Sequence, residues 1–157
     1  MTPIDEFVAR REIDTALLNY TRGVDRLDAA TLAAAFHPGA MLDGYGRKEH
    51  AVEAFAPFAV DALRSAYAAT QHRLTNITVE FDGDDAARVE SYVVADHLVR
   101  SESDDETIHT FAGRYLDRFE RRDGRWAITR RSLRRDWTRA DPVSGHMPGV
   151  FVDSERG

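Results

Sequence analysis

Thr70-Gln71-His72-Arg73-Leu74-Thr75-Asn76-Ile77-Thr78-Val79-Glu80-Phe81 is where the period of the chain changes. Upstream, apolar residues recur at helical spacing. From Thr70 the chain turns rich in Thr, Ile, Val and Phe and stops at Asp82-Gly83-Asp84, the composition of a strand closed by a turn. The theme then repeats. Residues 86–100 read as a second long strand, the acidic segment 101–106 as its hairpin loop, 107–121 as a third strand and 126–137 as a fourth. Between the last two, Arg122-Asp123-Gly124-Arg125 places Asp-Gly between two strand runs, the strongest hairpin signal in the chain. Residues 141–157, with Pro142, Gly145, Pro148 and Gly149, read as an irregular extension after a single domain over 1–140.

Working back from Thr70, a third helix is predicted over about 48–67, with Pro57 starting a new turn or kinking it. Residues 40–42 read as a short strand before a turn at Asp43-Gly44-Tyr45-Gly46. A short second helix starts at Asp28, its N-cap, and runs through Leu32 and Phe36 to stop before Pro38-Gly39. In the first helix, over 4–23, Ile4, Phe7, Val8, Ile13, Leu17 and Leu18 form the apolar stripe. Three helices followed by a meander of long strands give an α+β domain. Such a sheet must curl so that its concave face closes over the helices, leaving a pocket at its mouth. If His72 points inward, strict alternation sends Leu74, Asn76 and Thr78 inward too and leaves Ile77, Val79 and Phe81 outside. Either a bulge shifts the register or another subunit covers that face, and the second option predicts a homo-oligomer.

At 157 residues, 43% of them hydrophobic and 31% charged, the chain has the make-up of one globular domain. No apolar run approaches the roughly 20 residues of a membrane span, so no membrane partner is expected. The first residues are acidic and lack the order of a signal peptide, and cysteine is absent, so the cytoplasm is the default expectation. A net charge of −6 argues against nucleic acid. Arg130, Arg131, Arg134, Arg135 and Arg139 fall on both faces of a strand and read as ion pairs on the outer sheet face. Lys48, the only lysine, lies in a polar run and is no catalytic candidate. Neither a metal-ligand spacing nor a glycine-rich phosphate loop occurs, so no metal and no cofactor is expected.

The candidate chemistry rests on two separated motifs. Tyr20-Thr21-Arg22-Gly23-Val24-Asp25 sets a phenol and a carboxylate about one helical turn apart. His72 supplies the residue type whose ordinary pKa, roughly 6.5, suits proton transfer near neutrality. His72 read alone is a strand-end histidine satisfied by water, and Tyr20 alone is equally core filler. Asp25 is not needed as a cap, because Asp28 serves there. Of Asp96 and His97, adjacent on a strand, only one faces inward, and Asp96 is the expectation. His109 is expected to pack in the sheet, and His37, His50 and His146 to lie solvated in turns or loops.

This order of elements, with Tyr20 to Asp25 on the first helix and His72 opening the first long strand, resembles the NTF2-like superfamily. Within it the chain is similar to the SnoaL-like branch that holds scytalone dehydratase, bile-acid 7α-dehydratase and γ-hexachlorocyclohexane dehydrochlorinase. The resemblance covers residues 4–137 and is best over 20–25, 70–81 and 115–128. It implies an NTF2-like cone in which His72 is the catalytic base and Asp25 orients it, with Tyr20, Asp96 and Arg135 matching further site residues of the bile-acid enzyme. By their chemistry, Tyr20 or Tyr45 is expected to protonate or hydrogen-bond the departing oxygen and Arg135 to hold an anionic or carbonyl group, so Tyr45, Asp96 and Arg135 are the expected substrate-binding residues. The implied activity is that of a cofactor-independent lyase acting on a small hydrophobic ring compound. An isomerase or polyketide cyclase using the same dyad, or a non-catalytic binding or assembly module, is the alternative. Members of this branch often assemble through the sheet, which puts trimer ahead of dimer.

Overall fold

The computed structural model describes residues 1–99 and 106–143. Helix α1 (Pro3–Asp25) opens with a reciprocal capping box between Thr2 and Asp5. Its buried face is Ala9, Ile13, Ala16, Leu17, Tyr20, Thr21, Gly23 and Val24. Ile4, Phe7, Val8 and Leu18, expected in the core, are 48–76% exposed on the opposite side. Small residues decide which face goes in. A Cβ on Gly23 would lie 2.3 Å from the backbone nitrogen of Leu32, so only glycine lets α1 and the next helix approach this closely.

That helix, α2 (Ala29–Ala33), is capped by Asp28 as expected, but it ends before Phe36, where β1 (Phe36–Asp43) begins. His37 is consequently buried, its Nε2 at 2.9 Å from the Glu120 carbonyl, rather than solvated. A two-residue strand β2 (His50–Ala51) occupies the expected helix start, and α3 (Val52–Ala66) then runs unbroken through Pro57. The long strands follow as β3 (Tyr67–Phe81), β4 (Ala86–Val99), β5 (Glu106–Arg122) and β6 (Arg125–Val143). Asp123 and Gly124 both adopt positive φ, as the Asp-Gly hairpin requires. β6 extends to Val143, past the expected domain boundary at 140. Residues 144–157 of the extension expected over 141–157, His146 among them, and residues 101–105 of the acidic loop expected over 101–106 lie outside the described residues.

The six strands form one curved sheet in the order β2-β1-β6-β5-β4-β3, antiparallel except for the β1–β6 pair. Helices pack in its concave face, as the α+β cone reading expected. The conflict over β3 resolves as a bulge. Register shifts between Thr75 and Thr78, and Asn76 takes a φ of 49°, a left-handed conformation that asparagine tolerates. Thr70, His72 and Leu74 face inward before the bulge, and Val79 and Phe81 join the core after it. Of the three residues expected outside, only Ile77 stays there, 41% exposed.

Candidate active site

Asp25 is the last residue of α1, and His72 sits six residues into β3, on its inward phase. The fold joins them. Asp25 Oδ1 lies 2.7 Å from His72 Nδ1 and accepts the Thr70 hydroxyl at 3.0 Å, while Oδ2 accepts the His72 backbone N–H at 2.9 Å. An ionised carboxylate only accepts, so Nδ1 carries the proton and Nε2 is left as the acceptor nitrogen. The His72 side chain is 9% exposed and lines the main cavity. Nε2 has no hydrogen-bond partner among the described residues.

That cavity has a volume of about 740 Å³, well inside the range of ligand sites. Val24, Phe55, Ala59, Leu63, Phe111 and Leu133 give it a mainly apolar wall. Tyr20 reaches it from α1 and Tyr45 from the β1–β2 loop, their hydroxyl oxygens 2.9 Å apart. Within such a pair one O–H proton is used and the other remains to meet a ligand. Burial pushes the phenols of Tyr45 and Tyr115 well above their ordinary range, so both stay protonated at neutral pH.

Two expected binding residues are misplaced. Asp96 is on the outer phase of β4, where it accepts from the Thr110 hydroxyl and from Arg73, each at 2.7 Å. The Thr110 bond and then Arg73 hold its carboxyl below the usual range. His97 takes the inward place instead. Ala87, Val89, Val93 and Ala95 share its phase, and that run was the signal for choosing it. Its ring is edge-on to His72 at 5.3 Å, and burial, then His72, lowers its pKa. Arg135 is exposed and does not line the cavity, although its register opposite Gly113 continues that of Leu133; the extra residue of β6, Asp136, comes just after it. His109, expected inside the sheet, lines the cavity.

Arg131 went unrecognised as a buried residue. It is fully buried, and its Nε and Nη2 donate to the two oxygens of Asp117 at 2.8 and 2.6 Å. The guanidinium lies between the rings of Tyr20 and Tyr115, 4.1 and 4.0 Å from their centroids. Burial opposes the charge of both partners. The bidentate bonds and the Asp117 charge outweigh it for Arg131, whose pKa is raised. Asp117 announced this need, since it falls on the inward phase between Tyr115 and Phe119. Arg131 did not, because the register shift between Arg118 and Phe119 decides whether Arg130 or Arg131 turns inward.

Among the described residues no group of three or more His, Cys, Asp or Glu is arranged to hold a metal ion. Among them, too, no helix is long and apolar enough to cross a membrane.

The chain matches the SnoaL-like domain over residues 5–132. No curated protein matches it at the sequence level. Among solved structures it is similar to a scytalone dehydratase-like protein from Novosphingobium aromaticivorans, with 22% identity and a TM-score of 0.77 over 97% of this chain and 100% of that one. It is similar to a type 2 hexachlorocyclohexane dehydrochlorinase, LinA, with 23% identity and a TM-score of 0.79 over 95% and 100% of the two chains. The type 3 LinA of Novosphingobium barchaimii gives 20% identity and 0.77 over 92% and 97%. At these identities the likeness is one of fold. The family match spans most of the chain, and the protein belongs to the SnoaL-like family.

Proposed function

We propose that this SnoaL-like protein is a cofactor-independent lyase that removes a proton from carbon and expels a leaving group from a small hydrophobic ring compound. His72 Nε2 takes the proton. Asp25 holds the imidazole in the tautomer that leaves Nε2 unprotonated, then faces the imidazolium that forms. The uncommitted hydroxyl proton of the Tyr20–Tyr45 pair meets the departing oxygen or halide. The three structural neighbours named above carry names of elimination enzymes, which favours this class over others on the same fold. The observation that carries the reading is the 2.7 Å Asp25–His72 contact on the wall of an apolar cavity.

A specific observation also favours an isomerase as the second reading. A second imidazole, His97, lines the cavity edge-on to His72 at 5.3 Å, so the proton held by the His72 imidazolium has a neighbouring ring through which to return to a different carbon. Solvent deuterium retained in a product that has lost no group would select it. A homo-oligomer, trimer before dimer, belongs to the same proposal. Tyr92 and Trp137, 41% and 49% exposed, lie on the outer phase of the sheet, and a monomer by light scattering would remove it.

The test needs no knowledge of the natural substrate. 5-Nitrobenzisoxazole loses a carbon-bound proton as its N–O bond breaks, so it reports a competent base in an apolar pocket. His72→Ala is expected to lower turnover by roughly 10² or more. Wild-type turnover no faster than that of free imidazole, or an unaffected His72→Ala variant, would overturn the reading.

A further inference from the structure

The segment that carries Tyr45 differs from the rest of the cavity wall. Between Asp43, which ends β1, and His50, which begins β2, residues 44–49 make no backbone–backbone hydrogen bond among the described residues. Side chains hold the segment instead. At its ends Asp43 accepts from Ser132 at 2.7 Å, Arg130 at 3.0 Å and Arg134 at 3.1 Å, and Glu49 pairs with Arg130. In the middle, the Tyr45 ring leans on Phe55 with centroids 4.6 Å apart, and its hydroxyl meets that of Tyr20.

The backbone on either side of Tyr45 is built for a turn that other residues resist. Gly44 and Gly46 have φ of +88° and +105°. They differ in their surroundings. A Cβ on Gly44 would lie 2.2 Å from the Leu133 carbonyl oxygen, so this glycine is pinned against β6, whereas a Cβ on Gly46 meets nothing within 4 Å. One pivot is fixed and the other is open.

We propose that residues 44–49 form a latch on the cavity wall, with Tyr45 as the side chain that lines it. Tyr45 holds it shut through the hydroxyl pair with Tyr20, and local opening about Gly46 admits ligand while the sheet stays folded. A hydrogen bond of ordinary net strength shifts such an equilibrium by about fivefold, enough to keep the latch shut and too little to lock it. A ligand oxygen that captures the Tyr20 hydroxyl releases Tyr45, so the same contact would sense occupancy. The inference rests on the cavity being the ligand site, and not on the elimination chemistry.

Lys48 makes the latch directly observable. It is the only lysine in the chain and lies within the segment, so endoproteinase Lys-C has a single target. When opening and closing are fast, the cleavage rate follows the open population. Tyr45→Phe and Tyr20→Phe are each expected to speed cleavage by about fivefold, with the double variant no faster than either single, since all three lose the same bond. Urea below the unfolding transition should leave the wild-type rate nearly flat, because a local opening exposes little surface. Stopped-flow association of N-phenyl-1-naphthylamine, a neutral aromatic probe, should quicken in Tyr45→Phe by a similar factor.

Unchanged cleavage in Tyr45→Phe, single effects that multiply, a urea slope equal to that of global unfolding, or an unaltered probe association rate would each overturn the latch. Should Tyr20→Phe lower the melting temperature, the Tyr45→Phe rates decide alone. His72→Ala should cleave like wild type, so failure of the lyase reading and failure of the latch give different results.

Discussion

Replacing Asp25 by asparagine is expected to disable the base by reversing the imidazole tautomer while leaving the fold in place. The carboxylate accepts at both oxygens: Thr70 and His72 Nδ1 at Oδ1, the His72 backbone N–H at Oδ2. An amide has one acceptor and one donor end, so one of these sets must go. With its oxygen at the Oδ1 position, the NH₂ group would confront the His72 N–H, two donors face to face in a partly buried site. Flipped, the oxygen keeps the backbone N–H and the NH₂ donates to Thr70 Oγ1 and to Nδ1. The second arrangement avoids that clash at the cost of the Thr70 hydroxyl's acceptor, and it makes Nδ1 the acceptor and Nε2 the protonated nitrogen. A protonated Nε2 cannot abstract a proton. The expected loss with 5-nitrobenzisoxazole is roughly 10² to 10⁴ in turnover.

Stability should change far less. Losing charge-assisted hydrogen bonds costs about 1.5–3 kcal/mol. Removing a negative charge from the C-terminal end of α1 returns about 0.3–1 kcal/mol. Imidazole ¹⁵N shifts would report the tautomer directly, beside the kinetic assay and a thermal melt. Turnover within about threefold of wild type would refute the reasoning, and so would lost activity with Nδ1 still protonated.

Asp117→Ala leaves the Arg131 charge fully buried and unpaired, which should cost about 3–5 kcal/mol, or roughly 6–20 °C in a thermal melt. A loss below about 1 kcal/mol would mean that the guanidinium finds other partners. For His97, burial and then His72 hold the pKa below its ordinary 6.5, so the unfolded chain binds more protons there and stability falls as pH drops below that value. His97→Gln should flatten the stability–pH slope below about pH 6.5, measured by urea unfolding at a series of pH values; an unaltered slope would place the linkage elsewhere. Asp96→Asn and Arg135→Gln lie outside the cavity and should leave 5-nitrobenzisoxazole turnover within about twofold, whereas a tenfold loss would return them to the site.

Periodicity made the architecture readable, because the change at Thr70, the Asp-Gly hairpin and the Asp28 cap are local signals with local causes. The site was less accessible. Asp25 and His72 are 47 residues apart, and nothing local to either says that they meet; family resemblance supplied the pairing. Asp96 was preferred to His97 although the phase set by Ala87, Val89, Val93 and Ala95 favoured His97, so that choice was recoverable from the chain. The bulge at Asn76, and the one on β6 where Thr129 is the extra residue between Ile128 (opposite Phe119) and Arg130 (opposite Arg118), were not. A bulge adds one residue to one strand, and its position depends on the partner strand's register rather than on local composition. Each bulge reassigns every side chain beyond it, which moved Val79 and Phe81 into the core and brought Arg131, rather than Arg130, to Asp117.

The placement of Asp25 runs against helix stability and with the proposed chemistry. A carboxylate on the last residue of α1 faces the negative end of the helix dipole, where a cation such as Arg22 is preferred. Thr70 and the two N–H groups of His72 hold it there. The same helix end favours positive charge nearby, and positive charge is what His72 would acquire in the proposed step, on taking a proton from carbon. Carboxylate and helix terminus therefore act in one direction, fixed before the reaction begins. Arg131, stacked on Tyr20 behind the cavity wall, would oppose that charge if it stood alone. Its bidentate pairing with Asp117 cancels most of the opposition and also holds the ring of Tyr20 in place. Asp117→Ala should accordingly slow turnover even at temperatures where the variant is fully folded, an effect that lost stability by itself would not produce.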